Sequence, residues 1–101
     1  MVKRRSYLIQ LTINKREINQ IIIDPHYKIN HSYMTDELIC ELVRELNNQV
    51  FVPKDRKAPW TYFEADVAPK DKNYRLVWCL EDEKDYLGII HCYRRSKYGK
   101  N

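Results

Sequence analysis

The chain has 101 residues, a formal net charge of +4 and a charged fraction of 32%. This length fits one domain, residues 1–101, with a single modest core. The two glycines are too few for a glycine-rich phosphate loop. No apolar run is long enough to span a membrane, so we expect a cytoplasmic protein. Its positive excess favours an anionic partner, and nucleic acid is the commonest.

The three cysteines are Cys40, Cys79 and Cys92. An odd number without close pairs argues against a disulfide scaffold and favours a reducing compartment. No Cys or His spacing is typical of a zinc site. We therefore expect neither a metal site nor a cofactor.

The N-terminal region predicts two strands. Apolar and polar residues alternate over residues 7–13, and a second strand is predicted at residues 18–23. Residues 14–17 are the polar turn between them. Asp24-Pro25 should stop the second strand, because proline removes a ladder donor. A polar loop containing two histidines follows at residues 26–34.

One helix is predicted after this loop. Thr35 is a suitable N-cap, and the acids Asp36 and Glu37 suit the first turn because the helix dipole favours negative charge there. We expect the helix to end at Asn47-Asn48. An apolar stripe recurs at three- and four-residue steps, formed by Leu38, Ile39, Leu42, Val43 and Leu46.

The C-terminal half predicts strands only. A short strand is expected at residues 49–52, a basic loop at 54–59, a longer strand at 60–67, and a hairpin at 73–95. The order β-β-α-β-β-β-β predicts an α+β domain. We expect a mostly antiparallel, twisted sheet of five to six strands, with one main helix packed on one face.

The hairpin carries an arginine and a histidine within apolar strands. A turn over residues 81–85 would pair Leu80 with Tyr86 and Arg75 with His91. Period-two alternation places Arg75 with Val77 and Cys79. It likewise predicts a shared face on the second strand for Leu87, Ile89, His91, Tyr93 and Arg95. A strand arginine normally needs a partner, and an ion pair with an acid such as Glu64 is the structural alternative for Arg75.

Positive residues cluster in the loop at Lys54, Arg56 and Lys57 and in the basic tail at residues 94–101. Such side chains are often merely solvated. A histidine is suited to proton transfer near neutral pH, which makes His26, His31 and His91 candidates, although each could equally be structural. Histidine, arginine and tyrosine suffice to cleave RNA, because the ribose 2′-OH is the nucleophile and cations stabilise the phosphate.

Residues 74–78 (Tyr-Arg-Leu-Val-Trp), the acidic turn, the second hydrophobic strand, Arg94-Arg95 and Tyr98 resemble the C-terminal half of RelE/ParE-type toxins. The resemblance implies a small α+β ribonuclease fold and an endoribonuclease toxin that acts on RNA, in some cases on the ribosome. It also implies a neutralising antitoxin or immunity protein.

Carried over by position, the resemblance implicates Arg75, then Arg94 or Arg95, then Tyr98, with Lys54 or Lys57 contacting phosphate. His91 has no counterpart in RelE, and histidine-using relatives would make His91 or His26 the general base. The full set of expected catalytic residues is His26, His31, Arg75, His91, Arg94 and Tyr98. The expected RNA-binding residues are Lys54, Arg56, Lys57, Tyr93, Arg95 and Lys97.

Other functions fit the same sequence. One is a non-enzymatic module that binds nucleic acid through a basic sheet face. Another is a toxin of the same fold that inhibits a topoisomerase, because ParE-type members act on gyrase and a fold does not fix an activity. A third is a small structural or immunity protein that blocks a partner.

Overall fold

The computed structural model describes residues 4–23, 34–69 and 72–95. In chain order its elements are β1 (Arg5–Ile13), β2 (Arg16–Ile23), α1 (Asp36–Arg44), β3 (Asp55–Lys57), β4 (Trp60–Val67), β5 (Asn73–Glu81) and β6 (Tyr86–Arg95). The strands form one sheet in the order β1-β2-β6-β5-β4-β3. All neighbours pair antiparallel except β2 and β6, which are parallel. The α+β class and the mostly antiparallel sheet are therefore confirmed.

Helix α1 supplies one wall of the core. The Thr35 side chain caps it by accepting a hydrogen bond from the Leu38 N–H at 3.1 Å, as predicted. Its buried residues Ile39, Leu42 and Val43 join one hydrophobic cluster with side chains from the sheet. The helix ends at Arg44, before the predicted Asn47-Asn48. Within the described part of the chain, no helix has the length and apolarity needed to cross a membrane.

Trp78 is the largest fully buried side chain of the core. Its ring stacks on Phe63 with centroids 5.5 Å apart and meets Phe51 edge-on at 5.1 Å. These side chains come from β5, β4 and the segment after α1, so the aromatic cluster joins the sheet to the chain that leaves the helix.

The turn between β1 and β2 is tighter than predicted. Asn14 and Lys15 adopt φ values of 53° and 62°, and β2 already begins at Arg16. Two central residues with positive φ form the type of hairpin turn whose twist matches that of the strands. The polar residues Arg16 and Glu17 therefore belong to the strand and not to the turn.

The predicted strand at residues 49–52 is wrong, because only an isolated bridge between Ile13 and Gln49 forms there. The Asn14 side chain accepts a hydrogen bond from the Phe51 N–H at 2.7 Å and donates one to the Phe51 carbonyl at 3.0 Å. A side chain thus replaces a strand partner for this backbone. The short strand β3 forms instead within the predicted basic loop and pairs with β4.

The register of the β5–β6 hairpin differs from the prediction. Leu80 pairs with Leu87, and an irregularity between Val77 and Trp78 leaves Ile90 as an extra residue in β6. The expected Arg75–His91 pair is therefore wrong, since Arg75 pairs with Tyr93 and Val77 pairs with His91.

The extra residue also divides β6 between the two faces of the sheet. Leu87 and Ile89 are buried in the core, whereas His91, directly opposite the partly exposed Val77, faces away from it. The prediction that all these residues share one face is wrong. We call the surface opposite the core the open face, and its central residues are Tyr62, Glu64, Asp66, Arg75, Val77, His91, Tyr93 and Arg95.

Candidate active site on the open face of the sheet

Three neighbouring strands place a carboxylate and an imidazole on either side of one small side chain. Val77 of β5 is the direct partner of Glu64 on β4 and of His91 on β6. Directly opposed residues point to the same face of a sheet. With strands about 4.8 Å apart, the Glu64 and His91 backbones are about 10 Å apart, with Val77 between them. The row therefore places an acid and a histidine on one face of the sheet, on either side of the Val77 side chain.

Arg75 lies beside this row and is held by two carboxylates. Its Nε donates to Asp66 Oδ1 at 2.7 Å, its Nη1 to Glu64 Oε2 at 2.8 Å, and its Nη2 to Asp66 Oδ2 at 3.4 Å. The side chain is 23% exposed. The hydrogen bonds to Asp66 raise the pKa of Arg75 above its ordinary value. The structural alternative, an arginine paired with Glu64, is therefore observed, with Asp66 as a second partner.

The network extends to two further cations. Arg95 Nη1 donates to Asp66 Oδ2 at 2.9 Å, and Lys54 Nζ lies 3.5 Å from Glu64 Oε2. We call Lys54, Glu64, Asp66, Arg75 and Arg95 the ionic cluster; it holds three cations and two carboxylates. Arg75, and then Arg95, hold the pKa of Asp66 below its ordinary value by donating to it. One positive charge is in excess at neutral pH, so the cluster can attract a phosphate.

His91 and Tyr93 line the other side of the open face. Their ring centroids are 4.8 Å apart and the planes are tilted by 45°. Tyr93 is the direct partner of Arg75, so His91 is a diagonal neighbour of Arg75, at about 7–8 Å between backbones. A single phosphate group can therefore reach both the guanidinium and the imidazole.

The structure brings together some of the predicted residues and separates others. Lys54, Arg75, His91, Tyr93 and Arg95 lie on or beside the open face. Arg94 is opposite the buried Tyr74 and so lies on the other side of the sheet, which assigns the open-face position to Arg95.

Two predicted RNA-binding residues of the loop lie outside the ionic cluster. Arg56 binds Asp82 at 2.7 and 3.0 Å and the Thr61 hydroxyl at 2.7 Å, and Lys57 pairs with Trp60 at the edge strand. Four further predicted residues, His26, His31, Lys97 and Tyr98, lie outside the described residues.

No protein-family model, no curated protein and no solved structure matches the chain. The geometry of the open face is therefore the basis for assigning a function.

Asp66 was missed as a site residue by sequence reasoning, and Glu64 was considered only as a structural partner. The alternation of Trp60, Tyr62 and Glu64 continues to Asp66 and places both acids on one face of β4. That pattern was readable in the sequence. The pairing of β4 with β5, which brings the acids to Arg75, could not be inferred from the sequence.

The cysteines are poorly suited to nucleophilic chemistry. All three are free. Burial raises the pKa of Cys79 and raises that of Cys92 to about 12, so both thiols stay protonated at neutral pH. Among the described residues, no group of three or more His, Cys, Asp or Glu side chains is placed to hold a metal ion.

Proposed function

We propose that this protein is an endoribonuclease that cleaves RNA on the open face by attack of the ribose 2′-OH. The observation that supports it best is the row formed by Glu64, Val77 and His91, with Arg75 beside it. A base, an acid and a cation around one small side chain are the groups that this reaction needs. The reaction requires no metal-bound hydroxide, because the substrate carries its own nucleophile.

The proposed step accounts for every proton. Glu64 takes the proton from the 2′-OH, and the 2′-oxygen attacks the phosphorus. The bond from phosphorus to the 5′-oxygen breaks, and His91 in its protonated form gives that oxygen a proton. The products are a 2′,3′-cyclic phosphate and a 5′-hydroxyl end. Opposite placement of the two groups suits an in-line displacement, in which the nucleophile and the leaving group lie on opposite sides of phosphorus.

Arg75 is the proposed phosphate ligand. Its hydrogen bonds to Glu64 and Asp66 occupy three of the five N–H groups that a guanidinium carries. Two N–H groups are not used by the described residues and can bind phosphate oxygens. The carboxylates fix the guanidinium in place, so little side-chain entropy is lost when the phosphate binds. Lys54 and Arg95 add positive charge on either side.

The biological role that we propose is that of a toxin of the RelE-like kind, acting on RNA in the cytoplasm and neutralised by an antitoxin or immunity protein. In this role, RNA and the neutralising protein would compete for the cations of the open face. Growth arrest on expression, relieved by Glu64→Gln, is the expected result. Arrest that persists in this variant together with inhibited gyrase would favour the topoisomerase alternative.

The decisive experiment is cleavage of a single-stranded RNA by the purified protein in excess chelator. We expect cyclic-phosphate products from the wild-type protein and a loss of at least 100-fold, roughly 3 kcal/mol, in Glu64→Gln and Arg75→Ala. Glu17→Gln and Arg56→Ala are matched controls, because they make the same charge changes outside the ionic cluster. Absence of cleavage, or equal losses in the controls, would reject the proposal.

A nucleic-acid-binding module without catalysis is the second candidate. The observation that favours it is the pairing of Arg75 with both nearby acids, which compensates its charge and occupies the proposed base. Salt-dependent binding to RNA without turnover would support this candidate.

A further inference from the structure

An aromatic pocket adjoins the ionic cluster on the open face. It has a volume of about 280 Å³, and its aromatic lining residues are Trp60, Tyr62 and Tyr86. Sites for drug-sized molecules typically measure roughly 300–1,000 Å³, so this pocket suits a single ring system. The ionic cluster alone gives no reason for three aromatic rings to gather here.

Gly88 forms part of the pocket lining. A Cβ on Gly88 would lie 3.1 Å from Cys79 Sγ and 3.5 Å from the Tyr86 ring. Both neighbours also line the pocket. Any side chain at this position would therefore crowd Cys79 and Tyr86, which are part of the same lining. Glycine is otherwise a poor residue for a strand interior, and the close approach of Cys79 Sγ is a physical reason for its presence.

Hydrogen bonds hold two of the aromatic rings in place. Trp60 Nε1 donates to the Tyr86 hydroxyl at 3.2 Å, and that hydroxyl donates to Glu81 Oε1 at 2.6 Å. The polar ends of both rings are thus fixed by the protein. Their apolar faces remain for a ligand, and Trp60 is 37% exposed. Rings fixed in this way are suitable platforms for stacking a flat ligand.

The position of the pocket relates it to the proposed cleavage site. Tyr62 is two residues from Glu64 on the same face of β4, and Cys79 is two residues from Val77 on β5. Two residues along a strand span about 6.5–7 Å. Arg75 Nη1 reaches Glu64 Oε2 at 2.8 Å, so a ring in the pocket is one nucleotide's reach from a phosphate at that end of the guanidinium. Arg4, which also lines the pocket, adds a positive charge at its rim.

We propose that the pocket holds one nucleobase of an RNA strand, with a preference for purines, next to the phosphate bound by the ionic cluster. The placement of the base next to this phosphate rests on the proposed function, whereas binding of the base does not. Base stacking on aromatic side chains tolerates all bases, and differences arise mainly from stacking strength. The larger purine ring overlaps more of Trp60 and Tyr62.

The chain provides its own probe for this proposal. Its two tryptophans are Trp60, in the pocket, and Trp78, fully buried in the core. Fluorescence that is present in the wild-type protein and lost in Trp60→Phe therefore reports on the pocket. Adenosine and guanosine 3′-monophosphate should quench it saturably, and cytidine 3′-monophosphate more weakly. Ribose 5-phosphate and inorganic phosphate should not.

Two variants place the binding in the pocket. Gly88→Ala adds a methyl group that crowds Cys79 Sγ and the Tyr86 ring, and it should weaken purine binding. Tyr62→Leu removes one ring and should weaken purine binding roughly 5- to 150-fold, the range expected for one stacked base. Arg56→Ala is the control. Should Gly88→Ala fail to fold by circular dichroism, Tyr62→Leu decides. Absence of saturable quenching, or quenching unchanged in the folded variants, would overturn the proposal.

This experiment separates the two proposals. Quenching by purine nucleotides without RNA cleavage would support the pocket and reject the nuclease. Cleavage that depends on Glu64 and Arg75, without nucleotide quenching, would support the nuclease and reject the pocket.

Discussion

Arg75 and Asp66 lie directly opposite each other on β5 and β4, and two hydrogen bonds of 2.7 and 3.4 Å join them. Asp66 also accepts a hydrogen bond from Arg95 at 2.9 Å. One carboxylate therefore orients two guanidinium groups on the open face. It also lowers the net positive charge there, so it should both organise and weaken a phosphate site.

Asp66→Asn should bind RNA more tightly than the wild-type protein at low salt. Loss of one negative charge at a half-exposed position is worth about 1 kcal/mol or less, which corresponds to at most about fivefold in affinity. The gain should shrink as salt rises, because exposed charges are screened. Fluorescence anisotropy of a labelled RNA measures this effect. Asp82→Asn, which releases Arg56 outside the ionic cluster, is the matched control; an equal gain there would argue against a local site.

Asp66 should make the free energy of unfolding fall as the pH becomes acidic. Its pKa is lower in the folded protein than its ordinary value. The ionised carboxylate therefore stabilises the fold above the unfolded pKa, and this contribution is lost as pH falls through the folded pKa. We expect wild type and Asp66→Asn to differ by less than about 1 kcal/mol at pH 7, because the side chain is half exposed, and to converge between about pH 5 and 2.

Urea unfolding of both proteins across this pH range measures that difference. The double variant with Arg75→Ala tests the cause, since Asp66→Asn should have a smaller effect once Arg75 is absent. A stability difference between wild type and Asp66→Asn that stays constant down to pH 2 would contradict the lowered pKa of Asp66.

Most of the fold follows from local patterns in the sequence. The Thr35 cap, the apolar stripe of α1 and the alternation in the strands were readable because each depends on neighbouring residues. The parallel pairing of β2 with β6 could not be inferred in this way, because no local signal sets the position of two strands whose paired residues are 66 residues apart. The short strand β3 was missed because all three of its residues are exposed and polar.

Some residues of the candidate site were predicted, but the strand register that brings them together was not. Placing Arg75 and His91 on one face was a prediction made from a wrong pairing. Because of the extra residue in β6, His91 pairs with Val77 and lies on the open face. A bulge of this kind has no clear sequence signal, because Ile90 resembles the residues before it. The two acids of β4 were missed as site residues because their neighbours are set by tertiary pairing.

Trp78 should contribute to stability through packing alone. Its indole Nε1 is buried and has no hydrogen-bond partner among the described residues. Trp78→Phe therefore loses packing but no hydrogen bond, and it should cost less than half as much as Trp78→Ala, for which about 3–5 kcal/mol is expected. Thermal unfolding can test this, since 1 kcal/mol shifts Tm by about 4–8 °C in a domain of this size. Similar losses in the two variants would contradict this expectation.

Lys15→Gly should stabilise the β1–β2 hairpin. Lys15 is exposed and has a φ of 62°, a conformation that costs an L side chain free energy but costs glycine little. Asn-Gly is also the favoured pair in this turn. We expect the free energy of unfolding, measured in urea, to rise by about 0.5–1 kcal/mol. This net gain already includes the opposing effect of the greater freedom of glycine in the unfolded chain. Asn14→Ala should be destabilising instead, because it strains the turn and removes both hydrogen bonds to Phe51.

Arg75→Lys separates the charge of the proposed phosphate ligand from its geometry. Lysine keeps the positive charge but cannot bind Glu64 and Asp66 while presenting two N–H groups to a phosphate. RNA affinity should therefore change less than about threefold, whereas the cleavage rate should fall at least tenfold, about 1.4 kcal/mol, because the transition state needs oriented donors. Arg56→Lys is the control for the same substitution outside the ionic cluster. If Arg75→Lys cleaves RNA at the wild-type rate, Arg75 supplies only charge, and the fixed guanidinium on the open face has no part in the reaction.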